Sequence, residues 1–108
     1  MSQSLKVRKF YQRVLVLLQK PARRVTFEAA GVPAFLDMLA EPYPVDLTEM
    51  IHIQAAKSVD TKVSLTIARK VQIEFSEAIH VLSLDAAGAA RLIQQVNEAQ
   101  LASAQLTP

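Results

Sequence analysis

The sequence predicts an α+β fold, in which a small antiparallel sheet of three or four strands packs against an N-terminal and a C-terminal helix. Two observations indicate it. Apolar and polar side chains alternate over residues 50–75, and an apolar stripe at three- and four-residue spacing follows over residues 85–99. With 108 residues, 51% of them hydrophobic, we predict a single domain over residues 1–108. Residues 1–3 and 104–108 are expected to fray.

The first predicted element is an amphipathic helix over residues 5–20. At 100° per residue the apolar side chains gather on one side of this helix. Basic side chains lie on the opposite side: Lys6, Lys9, Arg13 and Lys20. Pro21 would end the helix, because it has no amide hydrogen and disfavours helical geometry in the residue before it. The alternative is a strand through residues 14–18, since this run of five aliphatic residues also suits a buried sheet position.

The middle of the chain predicts a short strand and a short helix. Residues 24–29 alternate as a half-buried strand does, and Gly31 ends it. Pro33 suits the first turn of a helix, which then continues over residues 34–40 with Phe35, Leu36 and Leu39 inward. Tyr43 lies between two prolines that hold it in an extended or turn conformation. It is therefore either a packing residue or an exposed contact residue.

Alternation is strongest from Met50 onward. Residues 51–55 predict a strand, a polar turn follows at residues 57–60, and residues 63–75 continue the alternation. The predicted core face of this region consists of Val63, Leu65, Ile67, Val71, Ile73 and Phe75. Arg69 interrupts that face, as a bulge in one bent strand or where two strands meet at Arg69 and Lys70. We favour the bent strand, because neither residue is a usual former of tight turns.

The C-terminal part predicts a packed segment and then a long helix. Residues 79–84 fit a short edge strand or a loop that packs on the core. Ser83 or Asp85 can cap the following helix, and Gly88 would allow a close approach to the sheet. The core-facing stripe of this helix consists of Ala89, Leu92, Ile93, Val96 and Ala99.

Charge is distributed unevenly along the chain. Residues 1–24 contain seven basic and no acidic side chains, whereas residues 25–56 contain five acidic and no basic ones. Because opposite charges attract, we expect the two segments to face each other, within one fold or across a dimer. This arrangement would leave little basic surface free for a ligand.

Few residues of the chain could carry chemistry. There is no cysteine, and the two glycines are too far apart for a phosphate-binding loop. His52 and His80 are the candidates for a base near neutral pH, and alternation places both on the sheet face away from the core. If their strands were neighbours, they could join Glu49, Glu74 or Glu77 in a metal or acid–base site. Such combinations arise by chance in many chains, so we predict no catalytic residue, no cofactor and no metal.

The basic N-terminal segment has three interpretations: a solvated helix face, a nucleic-acid-binding surface, or an interfacial membrane helix. The first is favoured. The residues that would contact nucleic acid are Lys6, Lys9, Arg13, Lys20, Arg23 and Arg24.

The predicted function is that of a small non-catalytic interaction or regulatory protein that acts as a homodimer. Tyr43 and Arg69 are the predicted partner contacts, and a regulator that binds nucleic acid is the alternative. The longest apolar run has five residues, far below the roughly 18 that a membrane span needs, so we predict no transmembrane segment. The absence of cysteine and of a secretory pattern near Met1 predicts a cytoplasmic location.

Overall fold

The computed structural model describes residues 5–105 and shows an α+β fold, as predicted, with a mixed sheet. The strands are β1 (Leu5–Phe10), β2 (Arg13–Phe27), β3 (Tyr43–Pro44), β4 (Ala56–Lys57), β5 (Thr61–Leu65) and β6 (Val71–Leu84). The helices are α1 (Val32–Ala40), α2 (Met50–Ile53) and α3 (Ala86–Gln105), with short 3-10 turns at Ala29–Gly31 and Leu47–Glu49. The predicted fraying of residues 1–3 and 106–108 lies outside the described residues, whereas residues 104 and 105 belong to α3, which continues to Gln105.

Two long antiparallel strands, β2 and β6, form the centre of the sheet. The strand order is β3-β1-β2-β6-β4, and β5 pairs with the other end of β6. The β1–β2, β2–β6 and β5–β6 pairs are antiparallel, but β3 and β4 add to the sheet in parallel. The sheet is therefore larger than predicted and not purely antiparallel.

The predicted N-terminal helix is wrong, because residues 5–20 belong to the β1–β2 hairpin. Leu15, Val16, Leu17 and Leu18 are all buried, which occurs when a central strand is covered on both faces. Val16 and Leu18 join the main core, whereas Leu15 and Leu17 join a smaller cluster on the other face. A run of consecutive apolar residues such as 14–18 fits either a helix or a buried strand. Its pairing with β1 and β6 decides that it is a strand.

The main core lies between one sheet face and helices α1 and α3. The predicted stripe of α3 is confirmed, with Ala89, Leu92 and Val96 buried and the other two members partly buried. Asp85 caps this helix by accepting a hydrogen bond from the Gly88 amide at 2.7 Å. A Cβ on residue 88 would stand 3.0 Å from that carboxylate oxygen, so glycine leaves the cap undisturbed.

The predicted bent strand around Arg69 is wrong, because β5 and β6 form a hairpin that turns there. Arg69 has a φ of 65°, and its amide donates to the Thr66 carbonyl at 2.9 Å. Val71, Ile73 and Phe75 are buried as predicted, and Val63 and Leu65 pack partly buried against them. Ile67 is fully exposed, because it lies in the turn and not in a strand.

Two further predictions are corrected beside the small cluster. Residues 79–84 are no edge strand but the buried end of β6, between β2 and β4. Residues 51–55 do not form a strand: the chain turns through the Leu47–Glu49 segment into α2, and Ile53 packs on Leu15, Leu17 and Val81. This segment covers part of the second sheet face and creates the candidate site.

Candidate functional site

A capping box holds the segment that enters α2. The Asp46 carboxylate accepts a hydrogen bond from the Glu49 amide, and the Glu49 carboxylate accepts one from the Asp46 amide, each at 3.1 Å. The hydroxyl of Thr48 is the main cause that lowers the pKa of Asp46, followed by backbone hydrogen bonds and the charge of Arg8, while desolvation opposes the shift. The pattern Asp46 to Glu49 is a helix-start signal that sequence reasoning missed.

Glu49 is the buried carboxylate of the second sheet face. Its side chain is 5% exposed, and the Arg8 Nε lies 2.8 Å from Oε1 and 3.0 Å from Oε2. The Lys6 Nζ stands 3.9 Å from Oε2. The basic N-terminal segment therefore does face the acidic segment at this position, within one chain. The pair fixes α2 on strand β1.

A cleft of about 310 Å³ opens beside this ion pair. Its lining consists of Lys6, Leu17, Leu18, Gln19, Glu49, His52 and His80. The imidazole rings of His52, in α2, and His80, in β6, lie 4.8 Å apart between centroids and are tilted by 54°. The two histidines do meet, but His52 reaches the pair from a helix and not from a neighbouring strand.

The histidine cleft holds no cluster of three metal ligands. Among residues 5–105, no group of three or more His, Cys, Asp or Glu side chains could hold an ion. Glu74 of β6 lies opposite Arg24 of β2 and Lys62 of β5. Glu77 forms an ion pair with Lys57 at 2.7 Å. The three-ligand site considered from the sequence is therefore not formed in this part of the chain.

Exposed apolar side chains concentrate in residues 43–51, which we call the apolar segment. Tyr43 is 75% exposed, Leu47 is 90% exposed and Ile51 is 72% exposed. Leu47 and Ile51 are four residues apart in consecutive helical turns, so they lie on one side. Tyr43 is thus an exposed residue and not a packing residue, and β3 places it beside Arg8. Leu47 and Ile51 were not predicted, because residues 51–55 were interpreted as a strand.

The six basic residues predicted to contact nucleic acid do not share one helix face. Lys6 lies at the cleft, and Lys9 is beside Pro44. Arg13 donates to the hydroxyls of Ser83 and Ser58. The remaining three, Lys20, Arg23 and Arg24, lie further along β2, roughly 23–36 Å from Arg13 at about 3.3 Å per strand residue.

Two of these basic residues, Arg23 and Arg24, lie on the part of β2 that pairs with β6 beyond the β1 hairpin. The described β1 pairing ends at Leu18, and among residues 5–105 no strand pairs with residues 23–27 on that side. Pro21 lies just before these residues, where register shifts between Leu17 and Arg24 interrupt the pairing of β2 with β6. Prolines, bulges and charges are the features that prevent another strand from adding to a sheet edge. The charges of Arg23 and Arg24 are therefore consistent with protection of this edge, and their nucleic-acid contact stays a prediction.

Arg69 is exposed, and its backbone is tied to the end of α3. The Ser103 hydroxyl donates to the Arg69 carbonyl at 3.0 Å, and Ser103 is buried. The favoured bulge in a bent strand is therefore not formed at Arg69. Its role as a partner contact stays a prediction.

Comparison with protein-family models, with curated proteins and with solved structures gives no match to this chain. Among residues 5–105, no helix combines the length and the apolar character that crossing a bilayer requires.

Proposed function

We propose that the protein is a small non-catalytic interaction protein with a regulatory role, and that it works as a homodimer through the apolar segment. The observation that carries this proposal is the exposure of Tyr43, Leu47 and Ile51 within nine residues of chain. Exposed apolar side chains that are grouped together mark interaction surfaces, and tyrosine is enriched in such surfaces. The proposed compartment is the cytoplasm, which suits a chain without cysteine.

The charges around the apolar segment suit a second copy of the same chain. Glu41 and Asp46 are exposed at either side of Tyr43, and Lys9 is exposed in the strand next to Pro44. In a twofold interface each group meets the complementary part of the same surface, so a self-associating surface carries both signs. The apolar segment and its surroundings meet that requirement.

The oligomeric state tests the proposal directly. Size-exclusion chromatography with light scattering at micromolar concentration is expected to give twice the chain mass of 11.9 kDa. Ile51→Asp places a charge in the proposed interface and is expected to give the monomer mass. Ile67→Asp is the matched control, because Ile67 is equally apolar and fully exposed but lies in the β5–β6 turn.

Two results would contradict the homodimer. A monomer mass for the unmodified protein up to about 100 μM would exclude self-association of useful strength, because a dissociation constant above that concentration corresponds to a free energy weaker than about −5.5 kcal/mol. Equal effects of Ile51→Asp and Ile67→Asp would show that dimerisation does not use the apolar segment.

Nucleic-acid binding is the second candidate, and the exposure of Lys20, Arg23 and Arg24 within five residues of β2 favours it. Binding through phosphate contacts weakens steeply as salt rises. A gel shift with a single-stranded and a duplex oligonucleotide at 50 and 200 mM salt tests this, with Arg23→Gln/Arg24→Gln as the variant. Lys57→Gln is the control, because Lys57 is an exposed cation paired with Glu77 outside this edge. A salt-independent shift, or one that both variants retain, contradicts the candidate.

A further inference from the structure

The two histidines of the chain are brought together from positions 28 residues apart. His52 projects from the short helix α2, and His80 belongs to the central strand β6. Their rings are 4.8 Å apart and line a cleft that is open to solvent. His80 is partly buried and His52 is exposed, so an ion could reach both from one side.

Both imidazoles are available as ligands. Among residues 5–105, neither ring makes a hydrogen bond or an ion pair with another side chain or with the backbone, and their mutual contact is the interaction that the structure shows. The carboxylate of the cleft is in contrast already engaged, because Glu49 binds Arg8, Lys6 and the Asp46 amide. The ring nitrogens are thus the free donors of this surface.

We propose that His52 and His80 together bind a divalent transition-metal ion. Imidazole nitrogen is a common ligand of Zn²⁺, Cu²⁺ and Ni²⁺, at about 2.0–2.1 Å for zinc. When two imidazoles bind one ion at this distance, with a nitrogen–metal–nitrogen angle between about 90° and the tetrahedral value, their ring centroids are about 5 Å apart. The observed 4.8 Å matches this separation without movement of the backbone.

The site has two protein ligands and open positions for water. Glu49 does not serve as a third ligand, because its two oxygens are held by Arg8. Two neutral nitrogen ligands give a borderline-soft site, which favours zinc, copper or nickel over Mg²⁺ or Ca²⁺. Lys6 lines the same cleft and repels a dication, so its charge lowers the affinity.

Calorimetric titration of tag-free, chelator-treated protein with ZnCl₂ at pH 7.5 tests the site. We expect one ion per chain. Loss of a group that hydrogen-bonds to a metal ligand lowers metal affinity about 10–100-fold. Loss of the ligand itself should cost at least as much, so we expect His52→Ala and His80→Ala each to weaken binding at least about tenfold. The chain has two histidines and no cysteine, so the two variants together test every imidazole ligand, and no thiolate can replace them.

Two further variants separate the site from general effects. Gln54→Ala changes an exposed side chain at the end of the same helix and should leave the affinity unchanged. Lys6→Gln should tighten binding, because it removes a positive charge from the cleft. Zinc should also raise the unfolding temperature of the unmodified protein but not of the two histidine variants.

Several results would overturn the proposal. The absence of zinc binding up to about 1 mM would exclude a useful site, because a dissociation constant above that value corresponds to a binding free energy weaker than about −4 kcal/mol. Unchanged affinity in either histidine variant would place the ion elsewhere. One ion for two chains, with no binding to a monomeric variant, would show that the rings do not chelate within one chain.

Discussion

Removing the Glu49 carboxylate should cost far more stability than removing an exposed carboxylate in an equally short ion pair. The Glu49–Arg8 pair and the Glu77–Lys57 pair have closest distances of 2.8 and 2.7 Å. The Glu49 and Arg8 side chains are 5% and 20% exposed, whereas both members of the other pair are more than half exposed. Burial is therefore the main difference between the two pairs.

The expected magnitude follows from what Glu49→Ala leaves behind. Removing one partner of a buried pair costs about 3–5 kcal/mol, because the other charge stays in a poorly solvated position. Arg8 retains some contact with water, so the cost of leaving its charge unpaired lies at the lower end of this range. Loss of the capping box adds to that cost. About 3 kcal/mol, at a urea m-value of about 1.5 kcal/mol/M, lowers the midpoint by about 2 M. Glu77→Ala should change it by less than about 1 kcal/mol, as exposed pairs do.

Urea unfolding followed by far-ultraviolet circular dichroism measures both variants. All samples need one protein concentration, because self-association shifts apparent stability. Arg8→Ala and the Arg8→Ala/Glu49→Ala double variant complete a cycle, and we expect the double variant to be less destabilised than the sum of the single ones. Equal midpoints for Glu49→Ala and Glu77→Ala would refute the reasoning that burial decides the cost.

Three further predictions concern the turns and the strand edge. Arg69→Gly should raise the free energy of unfolding by about 0.5–1 kcal/mol in the same urea assay, because glycine accepts the positive φ, whereas Arg69→Ala should not. Asp46 has a lowered pKa in the folded state, so its contribution to stability is present above its ordinary pKa of 3.8 and is lost as pH falls through the folded value. Asp46→Asn should flatten the pH dependence of stability below pH 4, and in a nuclear magnetic resonance titration Thr48→Ala should raise the pKa of Asp46. Replacing Arg23 and Arg24 with valine should increase aggregation on heating, measured by light scattering, and unchanged scattering would contradict a protective role of their charges at this edge.

The histidine site shows where inference from the sequence stopped. Residue types alone identified His52 and His80 as the candidates for chemistry, but their partners could not be chosen. The distance between them depends on how the segment before α2 crosses the sheet, and this is fixed by the Glu49–Arg8 pair, 41 residues apart in the chain. No local pattern reports a contact of that range.

The sequence by itself determined the α+β class, the capped helix α3 with its buried stripe, and the alternating face through Val71, Ile73 and Phe75. These features are local, because a periodic stripe or a cap depends on residues within a few positions. Tertiary structure decided that residues 14–18 form a central strand, that Arg69 turns a hairpin and that His52 meets His80. A run of consecutive apolar residues has no period of its own, so its state depends on the layers that cover it, and these come from distant parts of the chain.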